Sequence, residues 1–119
     1  MPKLPLSSEK ALTEYDAFLG KSDLNLAAVC DYMSSYVRTN VVDPERKSAN
    51  RILPQLLTNS LATKMNLEGG NKKIAFRSLK LYKVFQGTLQ AAFKDSDLEI
   101  AEDALKRWLK DAKYRKQDV

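Results

Sequence analysis

Nine basic side chains carry most of the chemistry this sequence offers: Arg46, Lys47, Arg51, Lys64, Lys72, Lys73, Arg77, Lys80 and Lys83. Lysine meets a phosphate as a point charge and arginine as a planar fork, so both suit a polyanion. Arg77, Lys80 and Lys83 recur every third residue, with Gln86 next in line, opposite Leu81 and Phe85. That spacing predicts one basic face on a helix. Lys72 and Lys73 follow Gly69-Gly70-Asn71. A loop rich in backbone N–H groups leading to a helix N-terminus can hold phosphate. Asn71, Arg77 and Gln86 could add contacts to base edges. DNA is therefore the expected partner. The same residues also suit the solvated face of two helices, or the recognition of an acidic protein.

The charge distribution gives this reading its place. Residues 1–43 hold four Lys/Arg and six Asp/Glu, residues 44–94 hold ten and two, and residues 95–119 hold six and seven. The blocks carry −2, +8 and −1, which sum to the net +5. Positive charge concentrated in one block can form a patch that attracts an anion.

Catalytic chemistry has little to work with. The chain has no histidine and one cysteine, Cys30. The commonest general base is missing, and so are a Cys/His zinc site and the Ser–His–Asp and Cys–His nucleophile systems. Lysine or paired carboxylates are the remaining catalytic groups. Gly69-Gly70 has neither P-loop nor G-x-G-x-x-G spacing. The chain is read as a non-enzyme with no metal, cofactor or small-molecule substrate. Cys30 and Trp108 fall on apolar stripes and read as core, and Tyr82 as core edge.

A chain of 119 residues suits one domain. No apolar run approaches the ~20 residues that span a bilayer. Met1 to Leu6 lacks the apolar stretch of a signal peptide. A lone cysteine excludes an internal disulfide and suits a reducing compartment.

The elements that must position these groups read as an all-α bundle of about five helices, with a glycine loop before the fourth. Ser7 or Ser8 caps a first helix carrying Ala11, Leu12, Tyr15, Phe18 and Leu19, which stops at Gly20. Ser22 opens a second with Leu26, Val29, Cys30, Met33 and Val37 on one face, ending near a left-handed Asn40. Asp43-Pro44 starts a third, with Asp43 as its cap. Its Pro54 should kink or break it. Leu61-Ala62 form a short turn capped by Asn59 or Ser60. Ser78 caps a long helix with Leu81, Val84, Phe85, Thr88, Leu89 and Ala92 buried, in which Gly87 can permit close packing. Ser96 to Glu99 reads as a capping box for a last helix burying Ile100, Ala101, Ala104, Leu105, Trp108 and Ala112. That helix alternates charge on its outer face, and the tail from Lys113 frays. No segment alternates as a strand would.

Residues 1–43 form an acidic helical pair and residues 44–119 a basic core, within one domain. The pair is richer in apolar groups than an appendage needs. It either covers the core or joins a second copy through Leu12, Tyr15, Phe18, Leu26, Met33 and Tyr36. Leu24, Leu26, Tyr32, Met33 and Tyr36 cannot all face one way, which leaves apolar surface for a protein partner.

The order of features from Arg51-Ile52-Leu53 resembles a known family. It runs through Leu56-Leu57-Thr58-Asn59, Leu61-Ala62, Asn66 with its glycines, Lys72-Lys73 and Phe76. It continues through Leu79-Lys80-Leu81-Tyr82-Lys83-Val84 to Trp108-Leu109-Lys110, Ala112 and Arg115. This is similar to the domain of unknown function 4806 family of insect and other animal proteins, many of them nuclear or transposon-related. More remotely it resembles BEN domains, which are helical DNA-binding and chromatin modules. The resemblance implies a nuclear module that binds DNA or chromatin, or one that pairs with itself or a nuclear regulator. Leu67, where the family has Trp, and Pro54 depart from the pattern.

Overall fold

The computed structural model describes residues 3–115. Among them run six α-helices: α1 (Glu9–Lys21), α2 (Asp23–Ser34), α3 (Pro44–Leu56), α4 (Asn59–Ala62), α5 (Lys80–Ala92) and α6 (Glu99–Lys110). Strands β1 (Met65–Asn66) and β2 (Ile74–Ala75) pair in parallel, with Met65 opposite Ile74. Short 3-10 turns occupy Phe76–Ser78 and Asp111–Tyr114. The architecture is the expected mainly-α bundle, with five long helices and the one-turn α4.

The first two helices open as their serines dictate. Ser8 Oγ accepts from Ala11 N at 3.1 Å, and Ser22 Oγ from Asn25 N at 3.2 Å. α1 continues one residue past Gly20. α2 ends at Ser34, short of Val37, because Ser34 and Ser35 donate their hydroxyls to the carbonyls of Asp31 and Tyr32. Such back-bonding competes with helix propagation. Asn40 has no left-handed role; Asp43 takes that conformation at φ 52°. Asp43 makes no side-chain cap and pairs with Arg46 at 3.2 Å. Ser48, buried in α3, grips the incoming loop by accepting from Arg38 N (2.8 Å) and donating to Arg38 O (3.1 Å).

Pro54 does not break α3, which runs on to Leu56. It lies in the last turn and is exposed, and the N–H it lacks would have bonded the carbonyl of Asn50, a residue that is itself exposed to water. Thr58, rather than Asn59 or Ser60, caps α4, accepting from Leu61 N at 3.3 Å. The N-terminal segment is fixed to this region. Leu6 N donates to Leu56 O at 2.8 Å, Thr58 N donates to Leu6 O at 2.9 Å, and the Leu6 side chain is buried.

The two later helices are capped from elsewhere in the bundle. Ser78 does not cap α5, since a 3-10 turn precedes it and Leu79 takes the cap position. Asp16 of α1 instead accepts from Leu81 N at 3.2 Å. The capping box of α6 is also absent. Leu98 turns left-handed at φ 65°, so Ser96 Oγ meets Leu98 N and Asp97 Oδ1 meets Glu99 N. Glu45 of α3 reaches across to accept from Ala101 N at 3.1 Å.

α2 lies along α5 and α3 along α6, while α1 packs on both α2 and α5. One core runs through all of them, including Leu12, Tyr15, Met33, Ile52, Phe85 and Leu105. The acidic helical pair and the basic segment therefore share a single apolar interior. A Cβ added at Gly87 would lie 3.4 Å from Cys30 Sγ, an ordinary contact, so the packing of α5 on α2 does not itself require glycine there. Two residues read as core, Ala92 and Ile100, are exposed. Both stand at helix ends, where the buried stripe has run out on α5 and not yet begun on α6.

Tyr15 carries an unusual polar atom into this core. Its ring is fully buried, tilted against Phe18 at 5.6 Å, and no described protein group hydrogen-bonds its hydroxyl. Burial, then the nearby Tyr32, push its pKa up to about 12. The folded pKa lies above the ordinary 10.0, so the neutral phenol is the form that folding favours. This contribution is complete below pH 10.0 and is lost as the pH climbs toward about 12. Tyr15→Phe is expected to raise stability by about 1 kcal/mol and to flatten this alkaline loss, measured by urea unfolding across pH. A variant less stable than the parent would show that the hydroxyl is solvated in the fold.

Candidate functional site

The structure divides the basic residues by type. All six arginines are engaged with the protein itself. Arg46 bridges Asp43 (3.2 Å) and Asp103 (3.0 Å), tying α3 to α6. Arg77 pairs with Glu68 and Glu102 (2.5 Å each) and lies over the Tyr82 ring. These carboxylates hold its guanidinium pKa well above the ordinary value. Arg107 pairs with Asp103. Arg51 donates to Tyr36 O at 3.0 Å, and Arg38 to the carbonyls of Ser35 and Val37. Arg115 stacks on Trp108 at 4.2 Å and donates to Asn59 at 2.8 Å. Among the described residues every ion pair is made by an arginine and none by a lysine.

Of the expected phosphate-binding set, Arg46 and Arg77 are each held between two carboxylates, whereas Arg51 gives its Nε to the Tyr36 carbonyl and stays exposed. The expected stripe of Arg77, Lys80, Lys83 and Gln86 also fails as a helical face, because Arg77 sits in the 3-10 turn before α5. Lys80 lies beside Gly20 in a groove along α1. Lys47 and Lys83 are exposed on α3 and α5, away from any shared cleft.

The lysines that do converge lie at the glycine loop. A cleft of about 340 Å³ is lined by Thr63, Met65, Asn66, Leu67, Asn71 and Lys73 on one side. Lys106, Leu109, Lys110 and Lys113 form the other. No carboxylate lines it. Lys106, Lys110 and Lys113 recur at i, i+4 and i+7, which aligns them on one face of α6 and its 3-10 extension. Leu67, Met65 and Leu109 are buried and form the floor. Lys64 and Lys72 are exposed next to this lining in sequence.

The three α6 lysines were missed by the sequence reading, which saw sign alternation on this helix. Within α6 itself the signs are segregated, and only Asp111 returns an acid among the lysines of its 3-10 extension. Glu99, Glu102 and Asp103 stand at the N-terminal end, and Lys106, Lys110 and Lys113 toward the C-terminal end. That arrangement also complements the helix dipole. Glu102 and Asp103 are drawn to arginines, and Lys106, Lys110 and Lys113 make no ion pair among the described residues. The tail expected to fray from Lys113 is ordered through Arg115, and residues 116–119 lie outside the described ones.

The loop is held rigidly. Asn66 Oδ1 accepts from Gly69 N, and Asn66 Nδ2 donates to Gly70 O at 3.0 Å. Ile74 N bonds Lys64 O (2.9 Å) and Arg77 N bonds Leu67 O (3.0 Å), closing the parallel ladder that the sequence pattern concealed. Gly69 (φ 94°), Asn71 (φ 61°) and Lys72 (φ 63°) are all left-handed. A lysine in that region costs about 1–2 kcal/mol. A Cβ at Gly69 would lie 2.8 Å from Ala75 Cβ. Gly69→Ala is therefore expected to cost more than about 2 kcal/mol, combining the left-handed penalty with a clash in the ladder. Chemical denaturation measures this. A loss below about 0.5 kcal/mol would mean that the loop moves freely away from β2.

The residues proposed for a dimer face divide too. Leu12, Tyr15 and Met33 are buried in the single chain and cannot meet a second copy. Phe18, Leu26 and Tyr36 are half-buried against the same core. The outward apolar groups of α2 are Leu24 and Tyr32. Cys30 is half-buried, and burial pushes its thiol pKa up. No three carboxylate or thiol groups gather closely enough to hold a metal ion among the described residues. No described helix is long and apolar enough to cross a membrane.

Fold and site together define a small helical bundle with a lysine-lined cleft. No family model, curated protein or solved structure matches the chain.

Proposed function

We propose that this protein is a non-enzymatic nucleic-acid-binding module of a nuclear, DNA- or chromatin-associated regulator. Phosphate oxygens are held by Lys73, Lys106, Lys110 and Lys113, with Lys64 and Lys72 at the margin. One observation carries this reading: four lysines line one cleft that no carboxylate enters, in a molecule whose arginines are all otherwise engaged. Like charges four residues apart on a helix repel. Lys106 and Lys110 stand so without neutralisation, a placement that an anionic ligand would relieve.

The test is a titration of labelled DNA across a salt series. Log affinity should fall linearly with log salt, by about 0.7–0.9 for each phosphate held. A flat response, or equal binding of polyglutamate (which would favour an acidic protein partner over nucleic acid), sinks the proposal.

A further inference from the structure

Tyr114 follows Lys113 of the lysine cleft and takes no part in the apolar core. It is 76 % exposed, more than any other described aromatic side chain. It belongs to the 3-10 turn that extends α6, directly after Lys113, whose side chain lines the cleft. Lys113 Nζ lies 5.0 Å from the centre of the Tyr114 ring. An open aromatic face is therefore held next to the cations that would take phosphate. The buried residue of this turn is Ala112, so the turn is anchored without the tyrosine.

Resting on the reading of this cleft as a nucleic-acid site, we infer that its ligand is single-stranded, with a base stacked on Tyr114. Bases within a duplex already stack on their neighbours and offer only their edges in the grooves. A single strand leaves each base a free face, and stacking on an aromatic side chain is tolerant of sequence. The shape agrees. The α6 lysines form a wall of a concave cleft of about 340 Å³. That volume suits a nucleotide, whereas a duplex is read by an element that projects into its groove. Lysines for the backbone and an adjacent ring for the base are the two parts that a single-strand site needs.

The experiment compares a short labelled oligothymidylate with a duplex of similar length, for the parent, Tyr114→Ala and Tyr114→Trp. The single strand should bind more tightly than the duplex. Tyr114→Ala should weaken it about five- to hundredfold with an unchanged salt slope, and Tyr114→Trp should retain the affinity. Duplex preferred by the parent, or full single-strand affinity in Tyr114→Ala, overturns the stacking inference while leaving phosphate binding in place. No salt-dependent binding of either form overturns both.

Discussion

Replacing Glu45 by alanine is expected to destabilise the protein by about 2–3 kcal/mol, lowering the melting temperature by roughly 10 °C. Glu45 is only 7 % exposed, and its Oε2 takes the N–H of Ala101, which is itself buried. Removing the carboxylate leaves that donor without an acceptor in the interior. An unmade buried hydrogen bond costs about 1–3 kcal/mol, and a lost helix cap typically about 1 kcal/mol. The carboxylate also faces the N-terminus of α6, where negative charge is favoured by the helix dipole. No residue of α6 can take its place, because left-handed Leu98 directs Ser96 and Asp97 onto other amides. Glu45→Gln keeps an oxygen acceptor and loses the charge, so it should cost less, about 1 kcal/mol or under. Thermal and urea unfolding of the two variants check this. Equal effects would place the contribution in charge alone, and a loss below about 0.5 kcal/mol in the alanine variant would show the amide finding water.

This contact also explains what the sequence could and could not disclose. Helix interiors were legible because Leu12, Tyr15 and Leu19, or Ala101, Leu105 and Trp108, repeat with the period of the helix and bury as that period requires. Ser8 and Ser22 were legible because their caps act three residues away. Glu45 and Asp16 were not, because they act over sequence separations of 56 and 65 residues. The β1–β2 ladder escaped for another reason. Two residues per strand are too few to alternate, and their pairing depends on the turn fixed by Asn66. Charge followed the same division. The block count located the glycine loop and Lys73 but could not separate cations that find acids from those that do not. Arg77 meets Glu102 from 25 residues away, and Lys73 meets the α6 lysines only in the folded chain.

The separation of arginines from lysines leads to the second large effect. The triple substitution Lys106→Gln, Lys110→Gln and Lys113→Gln is expected to weaken single-strand binding roughly a hundredfold near 0.1 M salt. Each lost phosphate contact removes about 0.7 from the slope of log affinity against log salt, so three should flatten it by about 2. The fold should tolerate the change. None of the three lysines makes an ion pair among the described residues, and glutamine is a good helix former. Relief of repulsion between Lys106 and Lys110 offsets the loss of favourable charge near the end of α6. Lys47→Gln with Lys83→Gln supplies the comparison. These two residues carry the same formal charge but line no cleft, and beyond about 10 Å their influence is screened at such ionic strength. Equal weakening per charge removed by the pair and the triple would mean that the ligand feels only the net +5. Selective weakening by the triple would place it between the glycine loop and α6, where the lysines make no ion pair while Glu102 and Asp103 of that helix are held by arginines.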